Sequence, residues 1–285
     1  MEVLIASSTK EICELLAQDH SRQLLAGGTD FMVEVNYGHR DPSSVIAIDR
    51  VPELQNWRHD EDSVIIGSCV TYREIERGPL ATLVPALAQA ARTVGSPQIR
   101  NAGTIGGNIG TASPAGDMLP VLSALGATIT LRSSDGRRDI TLEELITGVK
   151  QTSLHKGEFI ESVRVPVLEG PQEFLKVGSR SAMVISVASL ALITYPKTHT
   201  VGIGIGAVNP VPTRARQAEE FIVDYLDWER MQVNSSILEN FGSLIAAASS
   251  PIDDHRSLAA YRHHSVGVLG QRALTRIFTP RGPND

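Results

Sequence analysis

Thr93-Val94-Gly95-Ser96-Pro97-Gln98-Ile99-Arg100-Asn101-Ala102-Gly103-Thr104-Ile105-Gly106-Gly107-Asn108 is the stretch on which the reading of this chain turns. The small and apolar residues from Leu83 to Thr93 predict a helix, which must yield near Gly95 and Pro97. From there to Gly110 the glycines predict loop. Paired glycines at 106 and 107 lack Cβ atoms, so successive backbone N–H groups can converge on an anion.

Upstream, Leu24-Leu25-Ala26-Gly27-Gly28-Thr29-Asp30-Phe31 carries the same device at the exit of a predicted strand, Gln23 to Ala26. Two glycine loops from separate parts of the chain can grip a pyrophosphate from both sides. Neither loop reads Gly-x-Gly-x-x-Gly and neither contains Gly-Lys-Ser/Thr. The nicotinamide fingerprint and the Walker A loop are therefore excluded residue by residue.

Outside these loops the pattern is mixed α and β. Ser8-Thr9-Lys10-Glu11 has capping-box spacing, and Ile12, Leu15 and Leu16 follow at helical period, so a helix is predicted over about 9–18. Met1 to Ile5, Val45 to Ile48 and Val64 to Ile66 read as strands, and Thr71 to Arg77 as a short helix. Met118 to Leu125 reads as helix, Ala127 to Leu131 as strand, and Ser134-Asp135-Gly136-Arg137 as a turn. Glu158 to Pro166 alternates as an edge-adjacent strand would. The pattern breaks at Val167 to Pro171. An alternating segment, a run from Ser186 to Tyr195 and a glycine-punctuated strand at Val201 to Val208 follow, then helices over Arg214 to Leu226, Glu229 to Ala248 and Tyr261 to Phe278.

Composition narrows the function. At 285 residues, with 42% hydrophobic and 20% charged, the chain is globular and long enough for more than one domain. Net charge is −6 and the arginines are scattered, so no nucleic acid partner is expected. No secretory leader pattern and no membrane-length apolar run is present, which predicts a cytoplasmic protein without a membrane span. Cys13 and Cys69 alone can build neither a disulfide framework nor an iron–sulfur site, so any such cluster must sit on a partner. The histidines lack metal-ligand spacing; His263 and His264 read as surface residues, and no metal site is expected. No nucleophile–base set or carboxylate dyad can be assembled with any specificity, so bond-making chemistry on an organic substrate is expected elsewhere.

The 93–108 stretch, continuing to Asp117, resembles the signature of the FAD-binding subunit of molybdenum hydroxylases, the xanthine dehydrogenase and carbon monoxide dehydrogenase type. Leu25 to Asp30 resembles the same family's first pyrophosphate loop, and Phe174 to Arg180 its Phe-x-Lys-x-x-x-Arg stretch. Gly204 to Glu219, Tyr261-Arg262 and Arg272-Ala273-Leu274 are similar to its C-terminal domain.

The resemblance implies an α+β fold, with a two-lobed FAD-binding domain of the vanillyl-alcohol-oxidase/PCMH type over 1–168 (lobes about 1–55 and 56–168). A smaller C-terminal sheet-plus-helices domain of the CO dehydrogenase flavoprotein type would cover 169–285. It implies non-covalent FAD wrapped by Leu24, Leu25, Ala26, Gly27, Gly28, Thr29, Asp30 and Phe31 on one side and by Thr104, Ile105, Gly106, Gly107 and Asn108 on the other. Asp117 would accept from a ribose or the adenine edge, Val94 and Ile160 would pack on rings, and Lys176 would sit by the flavin's polar edge. A large molybdenum cofactor subunit and a small [2Fe–2S] subunit are the implied partners in a hetero-oligomer, with NAD as one acceptor. Family members commonly carry an Asp shortly after Arg180, where this chain reads Ser181-Ala182-Met183-Val184-Ile185-Ser186. A stand-alone flavin oxidase and a cofactor-less scaffold are the competing classes. The first would need a catalytic base that the C-terminal half does not offer, and the second conflicts with the intact Thr-Ile-Gly-Gly-Asn run.

Overall fold

A computed structural model describes residues 1–281. Positions 282–285, the end of the expected C-terminal domain, lie outside the described residues.

The chain opens with a three-stranded parallel sheet in the order Glu2–Ile5, Ser44–Ala47, Gln23–Leu25. Helix Thr9–Gln18 connects the first and third of these, and it buries Ile12, Cys13 and Leu16. Ser8 caps it by accepting from Glu11 N, as the spacing predicts. The Glu11 carboxylate, however, accepts from Ser7 N and Oγ at 2.7 Å, so the reciprocal half of the box lies one residue earlier.

A five-stranded antiparallel sheet follows, in the order Trp57–Asp60, Ser63–Gly67, Phe159–Pro166, Thr128–Ser133, Gly136–Thr141. Phe159–Pro166 is thus the central strand and not an edge-adjacent one. Its alternation comes from having core against one face and polar groups against the other. The predicted turn at 134–137 joins the last two strands as a hairpin.

Two further differences from the sequence reading have local causes. The 95–110 segment holds two helices, Pro97–Ala102 and Ile105–Thr111. Ser96 and Thr104 cap them, accepting from Ile99 N and Gly107 N, and Pro97 occupies the first turn where its missing N–H costs nothing. The predicted helix over 229–248 begins only at Leu238 and runs to Ala247. Before it, Gln232–Asn234 pairs with Leu226–Asp227 and with Thr279–Arg281 as a small sheet.

A four-stranded antiparallel sheet, Gln172–Val177, Ala188–Tyr195, Thr200–Gly206 and Thr213–Arg214, packs against helices Arg216–Val223, Leu238–Ala247 and Ala259–Ile277. Helix Met118–Leu125 lies against this sheet too, since a Cβ on Gly204 would fall 1.9 Å from Pro120 O. One apolar cluster therefore runs from Val64 and Leu122 through to Phe174, Ala191 and Ile193. No helix among the described residues is long and apolar enough to cross a membrane.

Candidate cofactor site

The two glycine loops meet. A Cβ on Gly27 would lie 1.6 Å from Ala102 O, so only glycine lets the first loop press against the turn before Thr104. Between the loops opens a cleft of about 730 Å³, within the range of small-molecule sites. Leu24, Ala26, Gly27, Gly28, Thr29, Asp30 and Phe31 form one wall, and Thr104, Gly106, Gly107 and Asn108 the other. Val94 and Ile160 supply apolar surface. Thirteen of the sequence-predicted residues thus come together on one lining.

The walls differ in what their backbones offer. On the first, the N–H groups of Gly27, Gly28, Thr29, Asp30 and Phe31 have no partner among the described residues. On the second, Ile105 N donates to Val70 O at 3.1 Å and Gly106 N to Ser68 O at 2.9 Å. Gly107 N donates to Thr104 Oγ1 at 3.0 Å and Asn108 N to Thr104 O at 3.0 Å. The second loop is not the open cup of amides that its glycines suggest. It offers side chains instead: the Thr104 hydroxyl proton, the Asn108 amide, and Ser68.

Four predicted residues stand off the lining. Leu25 belongs to the strand before the loop, and Ile105 is fully buried in the core. Lys176 Nζ pairs with Asp117 Oδ2 at 2.6 Å and also donates to Thr93 O and Val184 O at 3.2 and 3.1 Å. Asp117 further accepts from Ser186 Oγ at 2.5 Å and Thr93 Oγ1 at 3.2 Å. This buried network ties the first helix after the cleft to the strand at 172–177.

Sequence reasoning missed several lining residues. Ser68 carries no motif signal. Lys150, from a turn, bonds Asp30 Oδ2 at 3.3 Å and also Glu34. That bond, first among the causes, holds the Glu34 carboxyl below its ordinary range, and Arg40 adds to it while stacking over Phe31. Among the described residues after 168, only Ile185 and Arg256 reach the cleft. Ile185 falls in the segment that lacks the family's Asp, so an apolar side chain faces the cleft there.

A dinucleotide of FAD's kind fits this donor set: five unspent amides for phosphate oxygens, apolar patches for rings, and three buried polar atoms, Arg22 Nε, Ser68 Oγ and Asn108 Oδ1, without partners among the described residues. Comparison with known proteins agrees. The family described as "FAD binding domain in molybdopterin dehydrogenase" matches residues 1–168, and that described as "CO dehydrogenase flavoprotein C-terminal domain" matches 173–277. The chain belongs to the FAD-binding medium subunits of molybdenum hydroxylases of the carbon monoxide dehydrogenase type, and its cofactor is FAD.

Among its relatives is the glyceraldehyde dehydrogenase medium chain of Sulfolobus acidocaldarius, 31% identical over 95% of this chain and 96% of that one. The nicotinate dehydrogenase FAD-subunit of Eubacterium barkeri is 34% identical over 76% and 77%. The solved carbon monoxide dehydrogenase of Hydrogenophaga pseudoflava superposes with a TM-score of 0.86 at 26% identity, covering 97% and 96% of the two chains.

Proposed function

We propose that this chain holds FAD non-covalently in the 730 Å³ cleft as the electron-transfer subunit of a multi-subunit molybdenum hydroxylase in the cytoplasm. It would accept electrons from [2Fe–2S] clusters of a small partner subunit and deliver them to an acceptor such as NAD. Substrate hydroxylation would take place on a large molybdenum cofactor subunit. The relatives' names, medium chain and FAD-subunit, support the division of labour. The observation that carries the reading is the row of unspent amides at Gly27 to Phe31 facing Thr104 and Asn108 across the cleft.

Bound FAD supplies reversible two-electron redox chemistry. The chain's residues bind and orient it. The 27–31 amides and the Thr29 and Thr104 hydroxyls would hold the diphosphate, while Val94 and Ile160 would pack on rings. Asp117 and Lys176, locked to each other, would fix the geometry of the wall behind. We read 1–168 as the FAD-binding domain, with lobes about 1–55 and 56–168, and 169–285 as the C-terminal domain. Neither loop contains His or Cys, which supports non-covalent attachment.

The test is the visible spectrum of the purified chain, followed by heat release and chromatography of the chromophore. FAD released at about one per chain is expected; a colourless protein that cannot be reconstituted would overturn the reading. Flavin left on the polypeptide after acid precipitation would overturn the non-covalent assignment. Rapid mixing of the reduced flavoprotein with NAD⁺ decides the acceptor: flavin that stays reduced excludes it.

A further inference from the structure

Ser68 leaves the strand Ser63–Gly67 at the floor of the cleft and is 4% exposed. Its backbone is fully committed. The N–H donates to Glu161 O at 3.0 Å, and the carbonyl accepts from Gly106 N at 2.9 Å. A Cβ on Gly106 would come within 2.4 Å of Ser68 Cβ, so the two segments are in direct contact.

The hydroxyl has no hydrogen-bond partner among the described residues. Neighbouring Cys69 does not fill that place. Burial pushes its thiol up to about 12, which the Ser68 hydroxyl only moderates, so it stays neutral. It donates to Ile48 O at 3.5 Å, and a thiol sulfur accepts weakly. A buried polar group left unpaired in this way calls for a ligand or ion to explain it.

The position of Ser68 suggests which ligand group. On this wall the N–H groups of Ile105, Gly106, Gly107 and Asn108 are all spent, so beyond the Thr104 N–H a donor to an anion must come from a side chain. A serine hydroxyl changes between staggered wells without moving its backbone. Ser68 can therefore present its proton to the cleft while its own peptide groups stay anchored.

We propose that Ser68 is a cofactor-binding residue whose hydroxyl donates to a phosphate oxygen of the FAD diphosphate. The proposal rests on the cleft being the FAD site. It assigns to a residue outside both glycine loops a donor role that the amides of 105–108 cannot play.

The full chain, freed of flavin, is compared as wild type and Ser68→Ala by FAD titration, by ADP competition and by thermal melting. The variant is expected to bind FAD about tenfold more weakly, with ADP weakened by the same factor, because a hydrogen bond to a charged group is lost. Its flavin-free melting temperature stays equal or rises, since the substitution removes an unbonded buried hydroxyl at nearly constant volume. Unchanged FAD affinity overturns the proposal, and all the more if the flavin-free variant melts lower, which would make the hydroxyl structural. Weaker FAD with unchanged ADP overturns the diphosphate assignment. A wild-type chain that binds neither ligand is a separate result, and it would overturn the cofactor reading and this inference with it.

Discussion

The two glycine loops look alike in sequence and do opposite things. At 27–31 the glycines leave five amides without a hydrogen-bond partner among the described residues. At 104–108 the same residue types sit in a capped helical turn whose amides at 105–108 are satisfied by Thr104, Val70 and Ser68. The first loop leaves its donors open to a ligand, and the second spends those of 105–108 on the frame. Paired glycines signal close approach, but what the approaching backbone meets decides whether its donors remain available.

The sharpest way to break this division is at the frame. Asp117 and Lys176 form a buried pair at 2.6 Å, and Asp117→Ala would leave the ammonium unpaired among Thr93 O and Val184 O. Removing one partner of such a pair costs about 3–5 kcal/mol. A fall of that size in denaturant unfolding of the flavin-free chain is expected. If stability held and only FAD binding fell, Asp117 would serve the cofactor directly.

Next in size is Gly27→Ala. Its Cβ would meet Ala102 O at 1.6 Å, so the loops must separate. Overpacking against backbone costs about 3 kcal/mol, and the displaced amides no longer converge. We expect FAD content near zero, with the loss larger than stability alone explains. Normal flavin occupancy would mean that the first loop is not the cradle.

Much of this was legible in the sequence, for identifiable reasons. Both loops could be found because their paired glycines stand out, the first at a strand exit and the second after the break at Gly95 and Pro97, and helix Met118–Leu125 because its run is apolar on all sides. The helices inside 95–111 were hidden by that same glycine content: local propensity argues against them, and capping by Ser96 and Thr104 with tertiary contact to Ser68 overrides it. The centrality of Phe159–Pro166 was also hidden, because strand order is a long-range property. Asp117 and Lys176 could be named from the resemblance. That they face each other across 59 residues could not. Ser68, Ile185 and Arg256 have no motif at all and are brought to the cleft by topology.

One substitution type applied to both loops sharpens the contrast. Thr104 caps its helix through Gly107 N, and loss of such a cap costs about 1 kcal/mol, so Thr104→Ala should lower both the flavin-free melting temperature and FAD affinity. Thr29 has no side-chain hydrogen bond among the described residues. Thr29→Ala should therefore leave the flavin-free melt unchanged and weaken FAD alone. Equal melts for the two variants would erase the difference between the loops.

The smallest expected effect tests how the first loop is held. Asp30 and Glu34 share Lys150, and the hydrogen bond from Lys150 is the leading cause that holds Glu34 below its usual range. A depressed carboxyl contributes stability that is fully present above its unfolded value and is lost as pH falls through the folded one. Flavin retention should therefore be flat near neutrality and begin to fall only below about pH 4.5, the ordinary carboxyl value. In Lys150→Met the Glu34 carboxyl rises toward that ordinary value, so retention should be slightly lower at neutral pH and its fall in acid shallower. Lys150 is 43% exposed and Asp30 50%, so screening keeps the difference under about 1 kcal/mol at neutral pH. Superimposable pH-retention curves for variant and wild type would show that the open amides keep their arrangement without the ion pairs, leaving Gly27 and its contact with Ala102 as the element that sets the loop.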